Sequence, residues 1–229
     1  MAGVKSTTIE DRGQTSAMEW DQVPPSVRAA VGRALSRQHR DAVADVELIL
    51  DAALRVAERV APAEPRVADI VAEAGTSNQT FYRYFAGKAD LMAAVQERGT
   101  VRLRGYLAHR MDKHEDPGGR IAAWVDGLLD QVSRPPTARQ SSAVAQEVAR
   151  GGARGGGVDL LDQLGDLLVP ILTTAGRAEP TLDARALQDV VLGAVRRHAL
   201  AGTAPSEAER LHLRRFCQAV LPAEHLRAG

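Results

Sequence analysis

The sequence predicts an all-α protein in which an amino-terminal helix-turn-helix domain is followed by a helical bundle. Three observations predict it. Apolar residues recur at helical spacing along most of the 229 residues, and no convincing period-two alternation occurs. A short apolar helix ending at Gly75 stands one tight turn from a second short helix that Ser77 is placed to cap. Beyond residue 92, apolar stripes of the kind that packed helices need appear repeatedly.

In chain order, residues 1–22 are polar and lack periodicity, and read as a mobile tail. Residues 23–41 form a helical extension. Ser26, after Pro24-Pro25, caps a helix with Val27, Ala30, Val31, Ala34 and Leu35 on one side and Arg33, Arg37 and Arg40 on another. A second helix runs from about Ala42 to Val60, with Val46, Ile49, Leu50, Ala53, Leu54 and Ala57 at helical spacing; Pro62 and Pro65 end it. Val67, Ile70, Val71 and Ala74 give a two-turn helix, stopped at Gly75 by a left-handed residue. The next helix is Asn78 to Phe85, and after Ala86-Gly87 a longer one runs from Lys88 to about His109. Residues 42–91 thus make the first domain and 92–229 the second.

In the second domain, Asp116-Pro117 opens a helix carrying Ile121, Trp124, Val125, Leu128, Leu129 and Val132. A weaker helix is expected over Thr137 to Ala149, then a flexible glycine-rich break over residues 151–157. A phosphate-cradling loop is a weak alternative there, because no strand precedes the run and no Lys-Ser/Thr follows it. Val158 to Thr173 reads as one helix with Pro170 marking a kink or an end. Asp183 to Ala201 and Ser206 to Leu221 close the chain.

Bulk properties narrow the function classes. Hydrophobic residues are 45% and charged residues 25%, ordinary for a globular protein. No apolar run approaches the roughly 20 residues that cross a bilayer, and residues 1–21 hold no signal-peptide stretch, so the expected location is cytoplasmic. The single cysteine, Cys217, excludes an internal disulfide, suits a reducing compartment and sits in an apolar stripe as core. The six histidines show no metal-binding spacing, and neither a nucleophile elbow nor a dinucleotide fingerprint occurs. No catalytic residue, metal or cofactor is therefore expected, and the chain reads as a non-enzyme.

The formal net charge is zero, but local charge is not. Between Gly75 and Ala89 stand Arg83 and Lys88 with no acid; between Gln22 and Arg40 stand four arginines with no acid. Aromatics are scarce at 3%, yet Phe81, Tyr82, Tyr84 and Phe85 fall within five residues. On a helix, Phe81 and Phe85 share one face and plug into a core, while Gln79 and Arg83 lie opposite. A face of Gln and Arg suits base edges in a major groove, and flanking hydroxyls suit phosphates. A scaffold protein that touches no DNA would leave that face and Lys88 without a purpose.

The run Ile70-Val71-Ala72-Glu73-Ala74-Gly75-Thr76-Ser77, continuing Asn78-Gln79-Thr80-Phe81-Tyr82-Arg83-Tyr84-Phe85-Ala86-Gly87-Lys88-Ala89-Asp90-Leu91, resembles the signature of the TetR family of bacterial transcriptional regulators. Ile49 to Leu54 resembles the family's first DNA-domain helix, and the close likeness covers Val46 to Leu91. It implies that Asn78, Gln79 and Thr80 begin a recognition helix and face bases of double-stranded DNA; Arg83 lies on the exposed face already read from the helix spacing. It also implies that Tyr82, Tyr84 and Lys88 hold phosphates, Lys88 aided by the dipole of the helix it opens. Two departures stand out. Arg66 occupies the place of a common capping threonine, where its charge could meet a phosphate, and the extension ahead of the first domain is long. The basic side of that extension reads as a solvated face on a packed helix; the alternative is an arm on the DNA backbone.

The resemblance further implies a carboxy-terminal domain that binds a small-molecule effector and forms a homodimer. Two stripes suit dimerisation, with packing inside one subunit as the alternative and each helix expected to do some of both: Leu187, Val190, Val191, Ala194, Val195 and His198, and Leu213, Phe216, Cys217, Val220 and Leu221. Gly193 and Ala194 let backbones approach. Trp124, Leu128, Leu160, Leu164 and Leu168 are the candidates to line an effector pocket, with plain core as the bland alternative. So aliphatic a lining suits an apolar ligand. The function these readings imply is a ligand-responsive repressor.

Overall fold

The computed structural model of the chain describes residues 23–60, 63–133 and 157–222. The tail at residues 1–22, the expected helix at 137–149 and most of the glycine-rich run lie outside the described residues. These fall into two compact units, one through Asp45 and one from Val46 onward. No strand occurs among the described residues.

The first helix, α1, runs unbroken from Pro25 to Val60. The sequence reading expected two helices here. Gln38-His39-Arg40-Asp41 contains neither glycine nor proline, so nothing interrupts the hydrogen-bond ladder. Pro25 takes the first helical position, where its missing N–H is no loss, and the Pro24 carbonyl accepts from Val27 and Arg28 N–H at 3.0 Å each. Ser26 therefore lies inside the first turn and is not the cap. Val27, Leu35 and Val43 are exposed.

In the second unit, the rest of α1 is followed by α2 (Val67–Glu73), α3 (Asn78–Tyr84) and α4 (Lys88–Met111). Their apolar sides meet in a small core built on Ile49, Leu50, Val56, Ile70, Phe81, Leu91 and Val95. Next come α5 (Pro117–Leu129), continued by a 3-10 turn over Asp130–Val132, then α6 (Gly157–Gly165), α7 (Val169–Thr174), α8 (Pro180–Ala201) and α9 (Glu207–Gln218). Their larger core holds Trp124, Leu128, Leu164, Leu168, Leu187, Val191 and Cys217, together with Leu107 and Met111 from α4. The helix α4 thus contributes to both cores, Leu91 and Val95 to one, Leu107 and Met111 to the other.

Local chemistry explains most boundaries. Asp116 accepts from the Gly119 N–H at 2.6 Å, with Pro117 behind it opening α5. The expected single helix over 158–173 is two, and the break precedes Pro170. Pro170 sits in the first turn of α7, where proline is tolerated, so it helps to start a helix. Gly202, at φ 64°, ends α8, and Ser206 caps α9 through Glu209 N–H at 3.2 Å. His198 bridges that hairpin, its ring nitrogens hydrogen-bonded to Thr203 Oγ1 at 2.8 Å and Glu209 Oε2 at 2.9 Å.

Polar ties fix the bundle around α5. Trp124 Nε1 donates to the Leu164 carbonyl at 2.8 Å, which pairs a buried indole with an α6 carbonyl. Arg110 of α4 reaches Asp130 at 2.6 Å, while Arg210 and Arg214 of α9 reach Asp130 at 3.1 Å and Asp126 at 2.8 Å. Cys217 is completely buried, and that burial pushes its thiol up to about 12.

Close approach of α4 and α5 occurs at Gly127, where a Cβ would stand 2.4 Å from Leu107 Cδ2. Gly99 of α4 faces open space. We expect Gly127→Ala to destabilise the fold by about 1–3 kcal/mol through overpacking. Gly99→Ala, by contrast, should stabilise it by up to about 1 kcal/mol, because alanine is the better helix former. Chemical denaturation of both variants checks this; equal effects would remove the close crossing from the explanation.

Candidate nucleic-acid interface

The interface is built on two small devices at the ends of α2 and α3. At the end of α2, Gly75 takes φ 63°, its N–H bonding the Ala72 carbonyl at 3.2 Å while Thr76 N–H bonds that of Val71 at 3.1 Å. This paired closure turns the chain sharply, and a side chain at that φ would be strained. Two residues on, Ser77 is extended and its hydroxyl accepts from Thr80 N–H at 3.0 Å, which starts α3.

The orientation of α3 follows from its aromatic residues. Phe81 is completely buried, and Phe85, extended just past the helix end, is buried beside it with ring centroids 5.7 Å apart. Asn78, Gln79 and Arg83 are then exposed, as sequence reasoning expected. Tyr82 is 60% exposed and stands edge-on to Phe81 at 5.1 Å. Thr80 and Tyr84 are half-buried: the Thr80 hydroxyl lies 3.0 Å from that of Ser77, and Tyr84 packs on the small core. The Arg83 guanidinium lies 6.0 Å from the Tyr84 ring centroid.

Around this helix, Asp90 accepts from the Ala86 N–H at 2.9 Å and so holds the turn into α4. Lys88, the first residue of α4, is half-buried and ion-paired with Glu64. Arg66 stands at the start of α2 with no side-chain cap bond, the arrangement its replacement of a capping residue leads one to expect. An open cavity of about 720 Å³ adjoins these residues, with Glu64, Arg66, Asp69 and Lys88 on its wall.

Sequence reasoning missed the charges that hold this domain together. Arg55 and Arg59 of α1 both donate to Glu73 at the end of α2, at 2.8 Å each. Arg98 of α4 pairs with Glu47 at 2.6 Å and Asp51 at 2.9 Å on α1. The one signal was spacing: each pair on α1 is four residues apart and so shares a helix face.

Of the effector-pocket candidates, Trp124, Leu128, Leu164 and Leu168 are fully buried together in the larger core. The Leu160 side chain lies outside the described residues. Among the described residues no cluster of three or more His, Cys, Asp or Glu is placed to hold a metal ion, and no helix is long and apolar enough to cross a membrane.

Residues 49–95 match the family model described as bacterial regulatory proteins, tetR family. No curated protein matches the chain. Solved structures share the fold. The reduced form of NemR from E. coli aligns with TM-score 0.61 and 16% identity, over 78% of this chain and 97% of that one. FadR from Bacillus subtilis, solved with stearoyl-CoA, gives 0.56 and 16% over 77% and 97%; the multidrug binding protein EbrR, solved with imidazole, gives 0.54 and 23% over 78% and 95%. The amino-terminal domain is therefore a TetR-family helix-turn-helix, as the signature at residues 70–91 implied, and a helical domain follows it.

The Arg55–Glu73–Arg59 clamp generates a pH prediction. Hydrogen bonds from the two arginines hold the Glu73 carboxyl below its usual range. A lowered carboxylate contributes stability that is present above its unfolded value and is lost as pH falls through the folded one. Glu73→Gln should lower the melting temperature at neutral pH, with the gap closing in acid. Thermal melts across the carboxylate range check this, and a gap independent of pH would mean that the carboxylate charge plays no part.

Proposed function

We propose that this TetR-type chain is a sequence-specific, DNA-binding transcriptional regulator of the cytoplasm, acting as a homodimer on an inverted-repeat operator and released from it as a ligand-responsive repressor. In this reading residues 42–91 bind double-stranded DNA, and residues 92–229 bind the effector and dimerise. One observation carries it: burial of Phe81 turns Gln79 and Arg83 outward together on a capped helix. Both side chain types can make paired hydrogen bonds to purine edges, and it is the amino-terminal part of a recognition helix, here Asn78 to Thr80 of α3, that meets bases. Asn78 and Thr80 join the base-facing end; Tyr82, Tyr84, Arg66 and Lys88 serve the backbone on either side.

Support for the dimer comes from how the two terminal stripes divide. Leu187, Val191, Ala194, Leu213, Cys217 and Leu221 are buried within the chain, whereas Val190 and Phe216 are exposed, Phe216 by 50%. Leu182, Leu200 and Leu211 on the same two helices are exposed too. Outward apolar residues on a helical hairpin suit a four-helix interface with a second copy.

An apolar effector seated among Trp124, Leu128, Leu160, Leu164 and Leu168 touches no recognition helix. It acts by favouring one dimer geometry, and α4 is the natural lever because it shares both cores. The ligand-bound forms of FadR and EbrR are consistent with a helical domain that accepts small molecules.

Selection of bound fragments from random DNA should return an inverted repeat with half-site centres about 34–36 Å apart. Gln79→Ala should change the preferred base at about 1–3 kcal/mol on the native site; an unaltered preference would reassign the reading face. Leu164→Trp should abolish the response to a discovered effector while operator binding persists. A retained response would move the pocket elsewhere.

A further inference from the structure

We infer that Glu64 is an internal competitor of DNA phosphate for Lys88, so that the chain carries its own brake on affinity for every duplex. This rests on the DNA-binding reading and deepens it. The ammonium of Lys88 stands at the first residue of α4, where the helix end itself favours an anion. In the free chain the anion on the Lys88 ammonium is the Glu64 carboxylate. Glu64 lies in the connection between α1 and α2 and is itself exposed, so the pair faces solvent.

A phosphate arriving at Lys88 meets a cation already neutralised, and it meets a second anion beside it. One ammonium carries one charge, and two anions on it repel. Engagement therefore requires Glu64 to swing away. The adjoining open cavity, which Glu64 itself lines, gives the carboxylate room to do so. Phosphate contacts carry no base information, so the brake acts on all sequences alike.

The test uses the full chain and a fluorescently labelled duplex of random sequence several helical turns long, with anisotropy read across a salt series. Freeing one phosphate contact per subunit steepens the dependence of log K on log salt by about 0.9 per subunit. Glu64→Gln should therefore bind more tightly at about 0.1 M salt, by up to about eightfold per subunit since the parent engages Lys88 only when Glu64 has swung away, converging with the parent at about 1 M. Glu64→Ala should behave alike, and circular dichroism establishes that both are folded. Lys88→Gln should bind more weakly, and in that background Glu64→Gln should add nothing. Unchanged affinity and slope in both Glu64 variants would overturn the inference while leaving the DNA-binding reading intact. So would a gain that persists without Lys88, which would assign the effect to simple repulsion by the Glu64 charge. Absence of duplex binding by the parent and every variant, down to low salt, would defeat the DNA-binding reading and this inference with it.

Discussion

Phe81 is completely buried, and a seven-residue helix has too few backbone bonds to stand in water without such an anchor. The ring fixes α3 about its own axis as well as against the domain. With Phe81 inside, the period of the helix leaves Gln79 and Arg83 no choice but to face out, and Tyr82 is stacked edge-on where it cannot turn in. The Gly75 closure and the Ser77 cap set where α3 begins; the aromatic anchor sets which way it looks. Neither would suffice alone.

The same economy governs α4. One helix supplies Leu91 and Val95 to the small core and Leu107 and Met111 to the large one, so the two cores cannot shift independently of it. Arg98 strengthens the first attachment through Glu47 and Asp51, and Arg110 the second through Asp130. Between them the Gly127 crossing brings α5 against Leu107 with no slack. Interiors packed in this way move as blocks and transmit displacement.

Much of this was legible in the sequence because it is written locally. Gly75 and Ser77 announce a turn and a cap by residue type alone, and Phe81 and Phe85 announce a buried face by spacing. What was not legible depends on partners distant in sequence. Nothing near Glu73 says that Arg55 and Arg59 converge on it, and nothing near Lys88 says that Glu64, 24 residues earlier, reaches it. The terminal stripes show the same limit. Spacing groups Val191 with Val190 and Cys217 with Phe216, but only packing separates the buried member from the exposed one. The unbroken α1 departs from the two expected helices for another reason: no helix breaker stands between residues 38 and 42, so the ladder continues across the expected boundary.

The buried thiol of Cys217 lends the larger core a natural clock. Held on α9, completely enclosed and pushed up to about 12, it offers a reagent neither access nor an appreciable thiolate. Alkylation under native conditions must wait until α9 lifts from its neighbours, so the rate at which the sulfur is labelled counts those openings. A molecule seated in the bundle that tightened it would slow the count, and one that loosened it would hasten it, with no foreign probe placed anywhere in the chain.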